Sequence, residues 1–368
     1  MRKGWEYKRW KEVLTIINGK NQSAVVDENG EYPIYGSGGI MGYANNWLCP
    51  ENCVIIGRKG NINKPIFVET KFWNVDTAFG LNANKEYLLP KFLYYFCLDY
   101  NFERHNKAVT IPSLTKVDLL KIDIPLPPKS TQLAIVSELD KINELIRLKK
   151  EQLKDFDNLA QSLFYEMFGD PVENEKGWEV KKIGDLALVK TGPFGSMLHK
   201  EDYICDGIPL VNPVHMKDFK IVPDLDFTIS KEKASELENY LLKSNDVVFA
   251  RRGDIGRCAI VSEAEQGFIC GTGSLFVRFS KEIESIFIMY IIRCDSFSKH
   301  LISKAKGATM LNINSNTIAD LRIPLPPLSL QRLFAQRIEQ IGREKSEVQK
   351  SIQDLETLLA SRMQYWFE

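Results

Sequence analysis

Ile124-Pro125-Leu126-Pro127-Pro128 and Ile323-Pro324-Leu325-Pro326-Pro327 are the same five residues met twice, 199 positions apart. Proline has no amide hydrogen and clashes with the preceding turn, so neither copy can lie inside a helix and each punctuates the chain. Beyond each copy the pattern is helical. After the first, Leu139, Ile142, Ile146, Lys149, Leu153, Phe156, Ala160, Leu163 and Met167 recur at spacings of three and four; after the second, Phe334, Ile338, Ile341, Lys345, Val348, Ile352, Leu355, Leu359, Arg362 and Trp366 do the same. Ser130 and Ser329 read as N-caps, and Gly169-Asp170-Pro171 reads as the stop of the first helix. Two matched seams, each sustained for about five heptads, predict that the helices pair as a coiled coil, each about 60 Å long at ~1.5 Å per residue. An antiparallel pairing is expected, because it places one globular segment at each end and makes the chain a pseudo-twofold. Lys149 and Lys345 interrupt the seams and are read as register-setting or snorkelling residues.

The repeat extends upstream of the prolines. GWEYKRW from Gly4 is echoed by GWEVKKIGDLA from Gly177, GRKGNI (57–62) by ARRGDI (250–255), and residues 107–128 by 306–327. Gln132, Ser162 and Phe168 match Gln331, Ser361 and Phe367 at the same 199-residue offset. The order is globule, helix, globule, helix, with bounds at 1–128, 129–168, 169–327 and 328–368. Inside the first globule, NCVIIGRKGNINKPIFVET reads as two strands turning at Gly60-Asn61, KFWNVDTAFGLN as one more strand, and PKFLYYFCLDYNF as a helix. A basic loop and a short helix then lead to the prolines. In the second, DVVFARRGDIGRCAIVSE reads as a hairpin, GFICGTGSLFVRF as one strand and EIESIFIMYIIRCDSFSKHLISKAK as one helix. Each globule is therefore expected to be α+β, a mixed sheet with a few helices.

The apolar share of 44% and aromatic share of 11% are those of a folded chain. No apolar run approaches the ~20 residues of a membrane span, and the charged, aromatic N-terminus lacks the apolar core of a signal peptide, so a cytoplasmic location is expected. Seven cysteines, odd in number and irregularly spaced, fit reduced thiols; Cys49 and Cys53 form a lone C-x-x-x-C without a second pair, and no metal is expected. The 48 basic and 48 acidic residues cancel. A nucleic-acid partner would have to be held by local basic patches, because no global field steers it.

The chain offers no phosphate-binding G-x-x-x-x-G-K-[ST] loop, and its glycine-rich YGSGGIMG lacks dinucleotide spacing and reads as a turn or surface loop. Four scattered histidines stand beside no nucleophile. No catalytic site is expected. The remaining candidates are polar and paired. Arg58-Lys59 and Arg251-Arg252 occupy equivalent hairpin positions. Arg104, His105 and Lys107 match Lys299, His300, Lys304 and Lys306 by location, and Asn61, Ser196 and Lys200 lie near in sequence. Taken singly these are solvated turn residues; repeated in both halves, they suit contacts to phosphates with neighbouring polar groups reading base edges.

With the I-P-L-P-P-x-x-x-Q entry to each helix, the F-G-D-P exit at Phe168 to Pro171, YPIYGSGGIMGY, IIGRKGNINKPIFVETKFWNVDTA, GPFGSMLHKEDY and GIPLVNP, the chain resembles the specificity subunit of type I restriction-modification systems over nearly its whole length. The resemblance implies two tandem target-recognition domains that each read half of a split duplex DNA site. It implies long helices that space them and dock two methyltransferase subunits, and also restriction/translocase subunits. S-adenosylmethionine and ATP/Mg would be bound by those partners, with none in this chain. The chain itself would be the non-catalytic recognition part of an adenine-N6 methyltransferase and endonuclease complex. Two other readings stay open: a specificity subunit whose partner fuses methyltransferase and nuclease, and a duplicated coiled-coil scaffold that binds protein alone.

Overall fold

The computed structural model describes residues 5–106, 110–194, 197–305 and 312–367. The chain divides into two compact units, Met1–Gln152 with Val348–Glu368, and Leu153–Glu347. Each contains one globule together with a stretch of both long helices, which span Lys129–Phe168 and Leu328–Phe367.

The first unit is built on a four-stranded antiparallel sheet in the order Leu14–Asn18, Ala78–Ala83, Cys53–Gly57, Ile66–Val68. Cys53–Gly57 is buried along its whole length, which explains why CVIIG is apolar without alternation. A second sheet pairs the hairpin Tyr32–Gly36/Gly39–Ala44 with Trp73–Asn74. The helix Pro90–Asp99 packs Phe92, Leu93 and Phe96 into the main core with Trp10, Phe79 and Phe102.

The second unit repeats the main sheet strand for strand: Ala187–Thr191, Ser274–Phe279, Val247–Ala250, Cys258–Ile260. Its side sheet is larger, in the order Tyr203–Ile204, Thr228–Ile229, Ile208–Val211, Ile269–Cys270. Here too one pair is parallel, Leu210 to Ile269, as Ile34 is to Trp73 in the first unit. The α+β expectation holds in both.

Five local expectations are corrected. KFWNVDTAFGLN is two strands in different sheets, broken where Ala78 N–H bonds back to Val75 O; GFICGTGSLFVRF breaks likewise where Ser274 N–H bonds to Gly271 O. The long helix before residue 305 is two, Ser285–Arg293 and Asp295–Lys304. Cys294 is extended between them, and its carbonyl receives Ser298 N–H as the second helix starts. Ser130 and Ser329 are not caps. The carbonyls of Pro128 and Pro327 accept the first helical bonds, from Gln132 and Gln331, so the serines lie inside the first turn. Finally, the first three residues of each I-P-L-P-P are strand rather than punctuation. Asp123–Leu126 pairs antiparallel with Glu6–Arg9, and Arg322–Leu325 with Glu179–Lys182. The two repeated motifs therefore meet each other and close each globule, entry strand against exit strand. A proline is tolerated in so short a two-stranded ribbon, where one strand side faces no partner.

Within each unit the long helices run antiparallel. In the first, Glu138 binds Arg362 and Trp366, while Lys150 reaches Glu356 at 2.8 Å. In the second, Asp157 meets Lys345 at 2.7 Å and Phe334 stacks edge-on against Phe164 and Phe168. Of the seam residues, Leu139, Ile142, Ile146, Val348 and Ile352 are buried, and Leu153, Phe156, Leu163, Ile338, Ile341, Leu355 and Leu359 are half-buried. The seam is not a closed strip: Leu139 and Met363 join the first globule's core, and Ala160, Phe164 and Phe334 join the second's. Gly169 N–H returns to Tyr165 O, and the Asp170 carboxylate accepts from Val172 and Glu173, closing the first helix where Gly-Asp-Pro places its stop.

Candidate nucleic-acid interface

In the first globule, Arg58 and Lys59 leave the end of the fully buried strand Cys53–Gly57 and run alongside a second loop. Leu114 N–H donates to Arg58 O, Gly60 N–H donates to Pro112 O, and Lys59 bridges Ser113. Ser113 N–H in turn donates to Asn106 Oδ1, which ties in the single-turn helix Phe102–His105 that carries Arg104. Gly60 has φ +78°, a backbone state costly for other residues, and it lets the chain reverse at the tip. A third element converges there. A side chain on Gly38 would come within 3.6 Å of Asn61 Nδ2, and one on Gly60 within 3.9 Å of Ser37 Oγ. The glycine-rich YGSGGIMG is thus the tip of the hairpin Tyr32–Gly36/Gly39–Ala44, with Ile40 and Met41 largely exposed on it.

The second globule builds the same joint. Arg251 N–H donates to Gly273 O, Ile313 N–H donates to Arg251 O, and Arg252 bridges Asn312. Gly253 repeats the positive φ, at +75°. Three buried polar atoms here have no hydrogen-bond partner among the described residues: Arg251 Nε, Ser274 Oγ and Asn312 Oδ1. Ser274 faces Ala250 across the sheet, next to Arg251, so the three belong to one corner of the fold. Buried polar groups left without partners are uncommon and costly, at about 1–3 kcal/mol each, and a ligand that supplies partners recovers that cost.

The structure brings Arg58, Lys59, Asn61 and Arg104 onto one joined set of loops, and Arg251 and Arg252 onto its counterpart. His105 is half-buried: its Nε2 lies 2.6 Å from Tyr100 Oη and its ring stacks on the same tyrosine, which braces the loop. Lys200 is exposed in a single turn beside the side sheet, and no described bond joins it to the Arg251 corner. Lys304 is exposed at the end of its helix and lines a cavity of about 790 Å³ with His300, Asn314 and Asn316. Lys107, Ser196 and Lys306 lie outside the described residues.

Two cations escaped the sequence reading. Arg257, in the same ARRGDIGRC segment, binds Asp254 at 2.8 Å and Pro213 O at 3.2 Å. Arg293 lies with its guanidinium 4.2 Å from the Phe219 ring centre and 5.0 Å from that of Tyr290. Both line a cavity of about 690 Å³ with Lys217, Asp218, Asp254 and Asp295, where carboxylates offset the positive charge. Arg257 was visible as a third basic residue in the hairpin; Arg293 had no signal, because only the fold brings it to Phe219.

The thiols are poorly suited to chemistry. Burial pushes Cys53 and Cys258 up to about 12 and raises Cys49, Cys97 and Cys270, so each stays protonated at neutral pH. Among the described residues, no group of three His, Cys, Asp or Glu side chains could hold a metal ion, and no helix is long and apolar enough to cross a membrane.

The family model described as "Type I restriction modification DNA specificity domain" matches residues 2–155 and again 175–357. The MjaVIII type I restriction enzyme specificity subunit of Methanocaldococcus jannaschii is 23% identical, with 96% of this chain and 92% of that protein aligned. The EcoBI specificity subunit of Escherichia coli is 21% identical over 88% of this chain and 73% of its own length. Among solved structures, the type I restriction-modification S subunit from M. genitalium superposes with a TM-score of 0.59 at 15% identity, covering 99% of this chain and 96% of that one. A chain from work on complex assembly and conformational transition of the type I R-M system gives 0.66 at 17% identity, covering 99% and 97%. Identities this low speak for the shared fold.

Proposed function

From the premise that this chain belongs to the type I restriction modification DNA specificity family, we propose that it is the non-catalytic recognition subunit of such a complex, each globule reading one half of a split, non-palindromic duplex site. The observation that carries this is the repeated joint: in both units a basic pair, Arg58-Lys59 or Arg251-Arg252, is bonded to the loop before the short helix and set beside a left-handed glycine. The basic groups would hold backbone phosphates, and the unpaired Arg251 Nε, Ser274 Oγ and Asn312 Oδ1 would find partners on base edges. Asn61 and Ser37 would serve the first globule in the same way. The two globules share a fold but differ in these loops, so the two half-sites would differ in sequence.

On this reading the long helices space the half-sites and dock two methyltransferase subunits. Those partners would bind S-adenosylmethionine and methylate adenine at N6 on a base taken out of the duplex, and restriction subunits would use ATP and Mg. The proposed setting is the cytoplasm. Methylome sequencing of cells with and without this gene tests the proposal. A two-part adenine motif that disappears on deletion is the expected result. Its absence, together with a chain-plus-partner complex that gives no sequence-specific footprint, would favour the protein-binding scaffold instead.

A further inference from the structure

We propose that Gln132 and Gln331 are positioning residues that fix the angle between each recognition globule and its long helix, and so set the half-site separation that the complex accepts; this rests on the reading above. The side chain of Gln132 is wholly buried although it lies one turn into a long, largely solvated helix. Its carboxamide is fully used. Oε1 accepts Leu89 N–H at 2.9 Å, and Nε2 donates to Tyr87 O and Pro127 O, each at 2.9 Å. One planar group therefore joins three elements: the first turn of the long helix, the proline link from the exit strand, and the residue that opens the globule's helix Pro90–Asp99. Gln331 repeats the joint, with Oε1 accepting Glu284 N–H at 3.1 Å and Nε2 donating to Pro326 O at 2.8 Å. Glu284 likewise opens a helix, Ser285–Arg293, and Gln331 is also wholly buried.

The joint is needed because the connection alone is not stiff. Proline fixes φ, and Pro128 also restricts the ψ of Pro127, but the ψ of Pro128 itself is left free, so the link still permits a swing where it enters the helix. A point about 20 Å from the joint, the scale of a domain of this size, moves roughly 3.5 Å for each 10° of tilt, about the rise of one base pair. Only a group with a donor and an acceptor can hold both the helix-opening amide and the proline carbonyl. A carboxylate would lose the donors and bury a charge; an aliphatic side chain would leave the amide and the carbonyls unpaired.

The test uses the full chain assembled with its methyltransferase subunits, acting on a DNA library that carries the native half-sites at the native spacing and at one or two base pairs more or less. Gln132→Met and Gln331→Met keep the volume and remove the bonds. The expected result is a variant that still folds, with a melting temperature lowered by the unpaired groups, and whose preference for the native spacing over its neighbours falls about tenfold or more. Gln132→Asn, which keeps both polar functions on a shorter arm, should fall between. Unchanged spacing preference in a folded, active complex overturns this inference alone. Loss of folding in both the Met and Asn variants also overturns it, since the joint would then serve folding only. A wild-type complex that methylates no two-part site at any spacing overturns the recognition reading, and this inference with it.

Discussion

Arg252 is exposed at the second globule's hairpin tip, while Arg251 has a buried, unpaired Nε one residue earlier. Charge reversal of both should therefore act on one half-site only. For the complex, Arg251→Glu with Arg252→Glu should weaken binding at least about tenfold and flatten the salt dependence by roughly one per lost phosphate contact. Probes altered in the first half-site should still be discriminated as in wild type; a titration series across salt concentrations measures both. Glu138 gives a pH-dependent counterpart. Its hydrogen bonds to Arg362 hold its carboxyl below the ordinary carboxylate value, against an opposing effect of burial, with Trp366 adding to the depression. A depressed folded-state pKa stabilises above the unfolded value and loses that contribution as pH falls through the folded one. The pair is about one-third exposed, so solvent screening keeps its worth small. Glu138→Gln should be less stable than wild type at pH 7, and the gap should close below about pH 4; denaturant melts at the two pH values check this.

Among the elements, the strand Val247–Ala250 decides where Arg251 stands, and one buried ion pair anchors its start. Asp246 is 1% exposed and accepts two bonds from Arg278, at 2.8 and 2.7 Å, as well as Lys243 N–H at 2.8 Å. Removing Arg278 leaves the Asp246 carboxylate buried without its counterion, so Arg278→Ala should cost about 3 kcal/mol or more and lower the melting temperature of the second unit. Differential scanning calorimetry measures the loss. The elements also show where a sequence can be read and where it cannot. The apolar runs around Cys53–Gly57 and Val247–Ala250 announce buried strands, and the heptads announce the long helices. The strand pairing of I-P-L-P-P was hidden because prolines argue against a ladder, and its partner lies more than a hundred residues away. The break at Cys294 was hidden because both flanking segments are good helix formers, and only packing places the bend. At the site, the basic pairs were legible as a repeat. The stacking of His105 on Tyr100 was not, because side-chain packing decides it, nor the meeting of Arg58 with the loop at 112–114, which depends on a contact between distant loops.

At the scale of the whole chain, a helix pattern shows which face is apolar and not what covers it. The seams predict a pair of helices, whereas the structure also spends their apolar residues on the globules. Met363 is buried in the core that holds Trp10, Phe92 and Leu139, and Leu359, Trp366 and Phe367 pack on it. Trp366 stacks on Trp5 with ring centres 6.3 Å apart, and Phe367 meets Phe92 at 5.3 Å. Deleting residues 348–368 should therefore destabilise the globule at the other end of the sequence, with native-state hydrogen exchange rising in residues 5–106 and not in the strand Val247–Ala250. Synthesis runs from the N-terminus, so the first globule emerges from the ribosome with its core still open. The segment that seals it is translated only after the whole of the second globule. Until then the aromatic floor of the first globule must be kept from other chains.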